Sequence, residues 1–398
     1  MYVFIYSPRK AAPSLPCTRL PTQTSLSAHS SRHTLSRCGN FHHKEFIMYT
    51  AFTPGAPWLD TDGKRIQAHG GQIFQENGTY YWLGENKDHT TGEDEVWTWG
   101  VRLYSSHDLM NWQDEGLIVP PEPDDRESIL HPARHLDRPH LLFNEKTKKY
   151  VLWLKFCDDS HYAVLTADAL KGPYTIVNSR YFPCGRKCGD FDLWKDEKGN
   201  AYIYFEADHT DLLGAHLSAD YTQVEGEPVA IYSGKKPPET REAPTHFVRG
   251  GRHYLITSGM TGYRPNPSEV AVSDDPLRGY TVLGDLSEGD PSNTTFHSQS
   301  TCVIEVNGRY LYLGDRWMPE LNDWSYTGDL RPDPATQKKI MAKLKELGLD
   351  PVRDREEAMK VAIHISEACN TSLADYVLLP LEWEGERPIL HWKDTWKL

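Results

Sequence analysis

The sequence predicts an all-β protein, a five-bladed β-propeller with a small helical insertion in its last blade. Three observations carry this. A hairpin pattern returns five times, each time a short apolar strand, a turn, and a second strand that opens on tyrosine. The aligned tyrosines are Tyr80, Tyr150, Tyr202, Tyr254 and Tyr310, spaced 70, 52, 52 and 56 residues apart, the length of a four-stranded blade. The composition suits many half-exposed strands: 38% hydrophobic, rich in Trp (12) and Tyr (21), with 29 Gly and 27 Pro to turn the chain.

Each hairpin can be read in order. They are GQIFQENGTYYWLGE, RPHLLFNEKTKKYVLWLK, FDLWKDEKGNAYIYFE, APTHFVRGGRHYLITSG and STCVIEVNGRYLYLGD. Their alternation and their N-G, K-G or G-G type turns argue for two-stranded β units. The outer half of a blade follows four of them directly, as VRLYSSHDLMNWQDEGLIV, YAVLTADALKGPYTIV, LLGAHLSADYTQVEGEPVAIY and EVAVSDDPLRGYTVLG. In the fifth unit it comes late, as DYVLLPLEWEGERPILHW. The stretch before it, about 331–370, holds QKKIMAKLKELG and REEAMKVAIHISEA, whose apolar spacing predicts two amphipathic helices. Residues 48–398 therefore read as one propeller domain.

The first 47 residues differ. Six basic side chains (Arg9, Lys10, Arg19, Arg32, Arg37 and Lys44) face a single acid, Glu45, among many Ser and Pro. This composition predicts a disordered, dispensable extension. Its Arg/Ser-rich character also resembles a transit peptide, and Met48 would serve equally as a start. With no convincing signal peptide, a cytoplasmic location is expected. The net charge of −13 excludes nucleic acid and anionic membranes as expected partners, and no apolar run is long enough to span a bilayer. Seven cysteines form no framework. Cys184 and Cys188, as C-G-R-K-C, stand close but lack a second pair, so reduced thiols are expected.

A propeller brings the start of every inner strand to a central channel. At 11 to 13 residues before the aligned tyrosines stand His69, Asp137, Asp190, Glu242 and Gln299. Asp137, Asp190 and Glu242 could each pair with a neighbour or cap a turn, but their coincidence at one repeat position predicts a site. Carboxylates clustered under partial burial raise at least one pKa and so create a proton donor. Cleavage of a glycosidic bond requires such a donor and a second group acting on water or the anomeric carbon.

Residues on this framework resemble glycoside hydrolase family 43. R-E-A-P at 241–244, followed by H-Y-L-I-T-S-G-M-T-G-Y-R-P-N, is similar to that family's general-acid blade. I-Q-A-H-G-G at 66–71, Y-Y-W-L-G-E at 80–85, D-R-P-H at 137–140, H-S-Q-S-T at 297–301 and G-D-R-W at 314–317 resemble its branch of exo-β-1,3-galactanases, exo-galactosidases and arabinofuranosidases. The resemblance implies an exo-acting, inverting hydrolase of galactan or arabinogalactan-like glycans. In it Glu242 is the general acid, Asp190 tunes and orients that acid, and Gln299 positions water. Most of the family has an aspartate base on the first inner strand. Here that strand reads Ala68-His69-Gly70-Gly71, an absence the galactanase branch shares. Where that branch has Glu before Arg-Pro, this chain has Asp137, which leaves galactopyranose, galactofuranose and arabinofuranose open as the terminal sugar.

Glu85, His69, Asp137, Tyr263, Asp315, Arg316 and Trp317 are expected to bind substrate, with Trp97 and Trp99 on the rim. No cofactor is required by this chemistry. A structural Ca²⁺ on the channel axis, held by His69 or His297, is compatible with the resemblance. An inverting reaction places acid and opposing group about 6.5–9.5 Å apart, leaving room for water. The alternative class is a carbohydrate-binding propeller without catalysis, which has no need of a paired acid and modulator. A phosphorolytic enzyme would need a cationic cluster, whereas Arg138, Arg241 and Arg316 each stand beside an acid.

Overall fold

The computed structural model describes residues 48–328, 334–367 and 369–398. The expected extension, residues 1–47, lies outside the described residues. Twenty strands form five antiparallel four-stranded sheets, each in simple sequential order. Blade one is β1 (His69–Glu76), β2 (Thr79–Glu85), β3 (Val101–Ser106) and β4 (Gln113–Val119). Blade two is β5 (Leu136–Asn144), β6 (Lys149–Phe156), β7 (His161–Ala167) and β8 (Thr175–Tyr181). Blade three is β9 (Cys188–Lys195), β10 (Ala201–Ala207), β11 (Asp211–Leu217) and β12 (Val224–Tyr232). Blade four is β13 (Arg241–Arg249), β14 (Arg252–Gly259), β15 (Glu269–Ser273) and β16 (Thr281–Asp285). Blade five is β17 (Gln299–Val306), β18 (Arg309–Arg316), β19 (Asp375–Glu384) and β20 (Arg387–Leu390).

The inner strands β1, β5, β9, β13 and β17 touch one another in succession, and β17 returns to β1, which closes the ring. The core therefore lies between blades. Trp153, Tyr162, Phe191 and Phe205 fill the gap between blades two and three, and Leu83, Leu103, Leu152 and Leu165 that between one and two. Strands covered on both faces lose the two-residue alternation, and β10 is buried throughout. The outermost β8 is largely exposed. Tight turns fix the register of the hairpins. Asn77 and Gly78 both take positive φ, 50° and 81°, the conformation a two-residue hairpin turn needs.

Blade five is built from the C-terminal part of the chain alone, so the ring is clasped by another contact. Phe52 and Trp396 pair their backbones (2.9 and 3.1 Å) and stack their rings at 4.4 Å. The predicted helices are present as α1 (Pro334–Glu346) and α2 (Arg355–Glu367), inserted between β18 and β19. They pack through a small core of their own, formed by Ile340, Leu344, Ala358 and Ala362. Among the described residues no helix is long and apolar enough to cross a membrane. Cys157, Cys184, Cys188, Cys302 and Cys369 are all free thiols.

Candidate active site

Every inner strand slips register within its first residues, at His69/Gln72, Asp137/His140, Cys188/Phe191, Glu242/Thr245 and Ser300/Cys302. Such bulges bend a strand and re-aim its side chains, and here they turn polar residues toward the channel. They also correct the expectation of strict equivalence. His69, Asp137 and Gln299 stand opposite Glu85, Lys155 and Asp315. Glu242 faces Ser258 instead, and Asp190 falls inside the bulge between Cys188 and Phe191. The bulge shifts each side chain by one or two positions, which counting from a tyrosine cannot resolve.

The three expected catalytic residues are brought together. Gln299 Nε2 donates to Glu242 Oε1 at 3.3 Å and to Ser258 Oγ at 3.0 Å. Trp317 Nε1 donates to Gln299 Oε1 at 3.0 Å, which fixes the orientation of the amide. This direct contact overturns the expected separation of acid and opposing group. Glu242 and Gln299 lie at the starts of adjacent inner strands, so their side chains meet.

Asp190 sits among cations. Its Oδ1 is 2.7 Å from Lys155 Nζ and its Oδ2 is 3.3 Å from Arg138 Nε. Burial alone would raise its pKa, but Lys155 and Arg138 outweigh burial and hold it well below the usual carboxylate range. Asp190 thus stays ionised. Burial first, and then this nearby negative charge, push Glu242 well above its ordinary value. The result is a carboxyl that holds its proton more tightly than an ordinary glutamate, beside a fixed anion.

Arg138 starts on blade two and reaches three others. Its backbone N–H donates to Glu85 Oε1 (2.8 Å), its guanidinium pairs with Asp190, and Nη2 donates to the Ser300 carbonyl (2.7 Å). Arg138 thus meets blade one through its main chain and blades three and five through its guanidinium, which crosses the channel from blade two. Both ring nitrogens of His69 are also engaged, with Asp315 Oδ1 at 2.9 Å and Gln67 Oε1 at 3.0 Å. His297 Nε2 donates to the Trp324 carbonyl at 2.8 Å. Among the described residues no group of three or more His, Cys, Asp or Glu is arranged to hold a metal ion.

The expected substrate contacts divide into two sets. Tyr263 and Trp317 lie 5.2 Å apart, centroid to centroid, and line a pocket with Ser258, His297, Gln299 and Asp315. Trp97 continues this wall, 6.0 Å from Tyr263 and stacked on His135 at 4.1 Å. The others, and Asp315 as well, are tied into the protein. His69 and Asp315 bind each other, and Asp315 also accepts from Gly70 N at 2.8 Å. Glu85 is 1% exposed, 3.0 Å from Lys87 Nζ. Both oxygens of Asp137 are taken, by Trp97 Nε1 (2.7 Å) and Cys157 Sγ (2.8 Å). Arg316 turns away to the Gly55 carbonyl, Asn322 and the Trp392 ring. Buried polar groups need hydrogen-bond partners inside the protein, and His69, Glu85, Asp137 and Asp315, all buried, have them. A more apolar cavity, between residues 49–58 and β19, contains no carboxylate in its lining.

Several residues of the site were not anticipated. Lys155 and Ser258 face Asp137 and Glu242 on the second strands; the five-residue offset that picked out Glu85 and Asp315 also finds Lys155, but in blade four it lands on Gly259, one residue past Ser258. Lys87 comes from a loop and has no such signal. Nor has the turn before Gln299, where Thr295, Phe296 and His297 take φ of 54°, 54° and 61° in succession. Left-handed non-glycine residues cost about 1–2 kcal/mol each. Asp290 Oδ2 holds them, accepting from Thr294 N (3.0 Å) and Phe296 N (2.8 Å).

Comparison with known proteins fits this geometry. The family model "Glycosyl hydrolases family 43" matches residues 68–301. No curated protein matches the sequence. Among solved structures, a family-43 β-1,3-galactosidase is 28% identical over 88% of this chain, with a TM-score of 0.69; the chain spans 64% of its length. The exo-β-1,3-galactanase of Clostridium thermocellum is 25% identical, covering 87% of this chain and 66% of its own, with a TM-score of 0.65. The exo-β-1,3-galactanase of Phanerochaete chrysosporium, bound to galactose, is 23% identical over 88% of this chain and 68% of its own, with a TM-score of 0.68, and shares the fold.

Proposed function

The chain belongs to family 43 of the glycosyl hydrolases, and from that premise we propose that it is an exo-acting, inverting glycosidase. It releases terminal galactose- or arabinose-type sugars from galactan or arabinogalactan-like glycans. One observation carries the reading: a half-buried glutamate, Glu242, kept protonated by burial and by ionised Asp190, beside an aromatic pocket. A sugar-binding module has no use for such a costly arrangement.

In the proposed reaction the glycosidic oxygen enters between Glu242 and Gln299 and replaces the amide as the carboxyl's partner. Glu242 delivers its proton to that oxygen, the bond to the anomeric carbon breaks, and the remaining glycan leaves as an alcohol. Water attacks the opposite face of the oxocarbenium-like sugar. Gln299 is a weak base, so its part is to orient this water through Oε1, which Trp317 holds in place. The added water is strongly acidic once bonded to carbon and loses its proton to bulk water, from which the Glu242 carboxylate regains the proton it gave to the leaving oxygen. Asp190 remains an anion throughout.

The test is hydrolysis of p-nitrophenyl β-galactopyranoside, β-galactofuranoside and α-arabinofuranoside, with proton NMR of the first-formed sugar. Turnover of one of them with inversion is expected, and Gln299→Ala should lose most of it. A retained anomer would overturn the mechanism, and binding without turnover would establish the carbohydrate-binding alternative.

A further inference from the structure

Blade five does not need its insertion: β17 to β20 form an ordinary four-stranded sheet. Yet both stems of the insertion touch the loops that wall the pocket. On the entering stem, Trp324 Nε1 donates to the Pro265 carbonyl at 3.3 Å, and the Arg264 guanidinium lies over the Trp324 ring at 5.8 Å. These two residues directly follow Tyr263. The Trp324 carbonyl also accepts from His297, in the strained turn that precedes Gln299.

The leaving stem meets the other lip. Gly92 lies in loop 87–99, which carries Trp97, and takes φ of 75°. A Cβ built on Gly92 would lie 2.8 Å from the Cys369 carbonyl carbon and 3.1 Å from Asn370 N. Backbone meets backbone there, and the fit excludes any side chain. A little farther on, the Ser372 carbonyl accepts from Gln67 Nε2 at 3.0 Å, and Asp375 pairs with Arg65 at 2.6 Å, anchoring this stem to the approach to blade one.

We propose that the helical insertion is a specificity clamp, which fixes the spacing of the Tyr263 and Trp97 lips and thereby selects oligosaccharides by the units beyond the terminal sugar. The proposal rests on the glycosidase reading of the site. Two separate loops would have to be ordered each time a glycan bound, at an entropic cost that falls on the affinity. One inserted element packed against both loops meets that cost during folding. The rings 6.0 Å apart then form a fixed wall for the sugars that follow the one being released.

The test is made in a Glu242→Gln background, so that binding is read without turnover. Calorimetric titration compares β-1,3-galactotriose with galactose and α-1,5-arabinotriose with arabinose, for the parent and for Gly92→Val and Trp324→Phe. For the preferred trisaccharide the variants should lose about tenfold in affinity, a modest share of what misplacement by about an ångström can cost. Affinity for the monosaccharide should stay within about twofold, on the same reasoning. Should Gly92→Val fail to fold, Trp324→Phe, which keeps the ring and removes one hydrogen bond, carries the test alone. Equal losses on both ligands, or no loss, would overturn the clamp. So would a parent protein that binds neither trisaccharide more tightly than its monosaccharide. Failure of the wild type to hydrolyse any glycoside would instead defeat the glycosidase reading, and these titrations would still report on the clamp.

Discussion

Glu242 with Asp190 and Glu85 with Asp137 use the same ingredients around Arg138: a glutamate, an aspartate and a lysine. Burial raises both glutamates, Glu85 to about 8 and Glu242 well above its ordinary value. The lysines differ in what they hold. Lys155 pairs with Asp190 and leaves Glu242 to the neutral amide of Gln299. Lys87 pairs with Glu85 itself and also donates to the Trp97 carbonyl (2.9 Å) and Thr98 Oγ1 (3.2 Å). Glu85 is sealed, whereas Glu242 is half-buried. A raised pKa alone does not make a general acid. The proton must also face an opening, with no cation in direct contact.

Substituting the two glutamates tests this contrast most severely. Glu242→Gln should lower turnover of natural glycans by about 10²–10⁴-fold, with a smaller loss on aryl glycosides whose leaving group needs no proton. Glu85→Gln should affect both substrates alike. Steady-state rates on the two substrate types decide, and a leaving-group dependence in Glu85→Gln would reverse the assignment.

Removing the fixed anion comes next. Glu242 must be protonated to act, so activity falls as pH rises through its pKa. Asp190→Asn takes away a charge that raises this pKa, so the descending limb of the kcat/KM profile should move to lower pH by about 1–2 units. An unmoved limb in a folded variant would remove Asp190 from this role.

On the sealed side the effect should appear in stability. Lys87→Met removes one donor from each of Glu85, the Trp97 carbonyl and Thr98 and should cost about 1–3 kcal/mol in urea unfolding. Glu85→Gln with Lys87→Met should cost less than Lys87→Met alone, since no ionisable group then stays buried at that pair. The smallest effect is a slope. The pKa of Glu85 rises on folding from 4.5 to about 8. Its contribution is therefore full below pH 4.5 and is lost as pH rises through about 8. Melting temperatures of Glu85→Gln should decline less across this window than those of the wild type.

The five blades, their hairpins and the inserted helices were legible in the chain because their signals are local: alternating apolar residues, N-G turns and a tyrosine that returns at blade length. The same repeat placed Asp190, Glu242 and Gln299 at the starts of inner strands, and the structure brings them together. It did not show how His69, Asp315 and Arg316 would be bonded within the protein, because sequence position fixes where a strand begins and not which partners its side chains meet. The tertiary structure alone decided that Lys155 serves Asp190, that Arg138 crosses the channel, and that Gln299 touches Glu242. Each joins residues from different blades or loops. Their pairing depends on closing a ring over some 300 residues, and no local pattern records which partners closure brings within hydrogen-bonding reach.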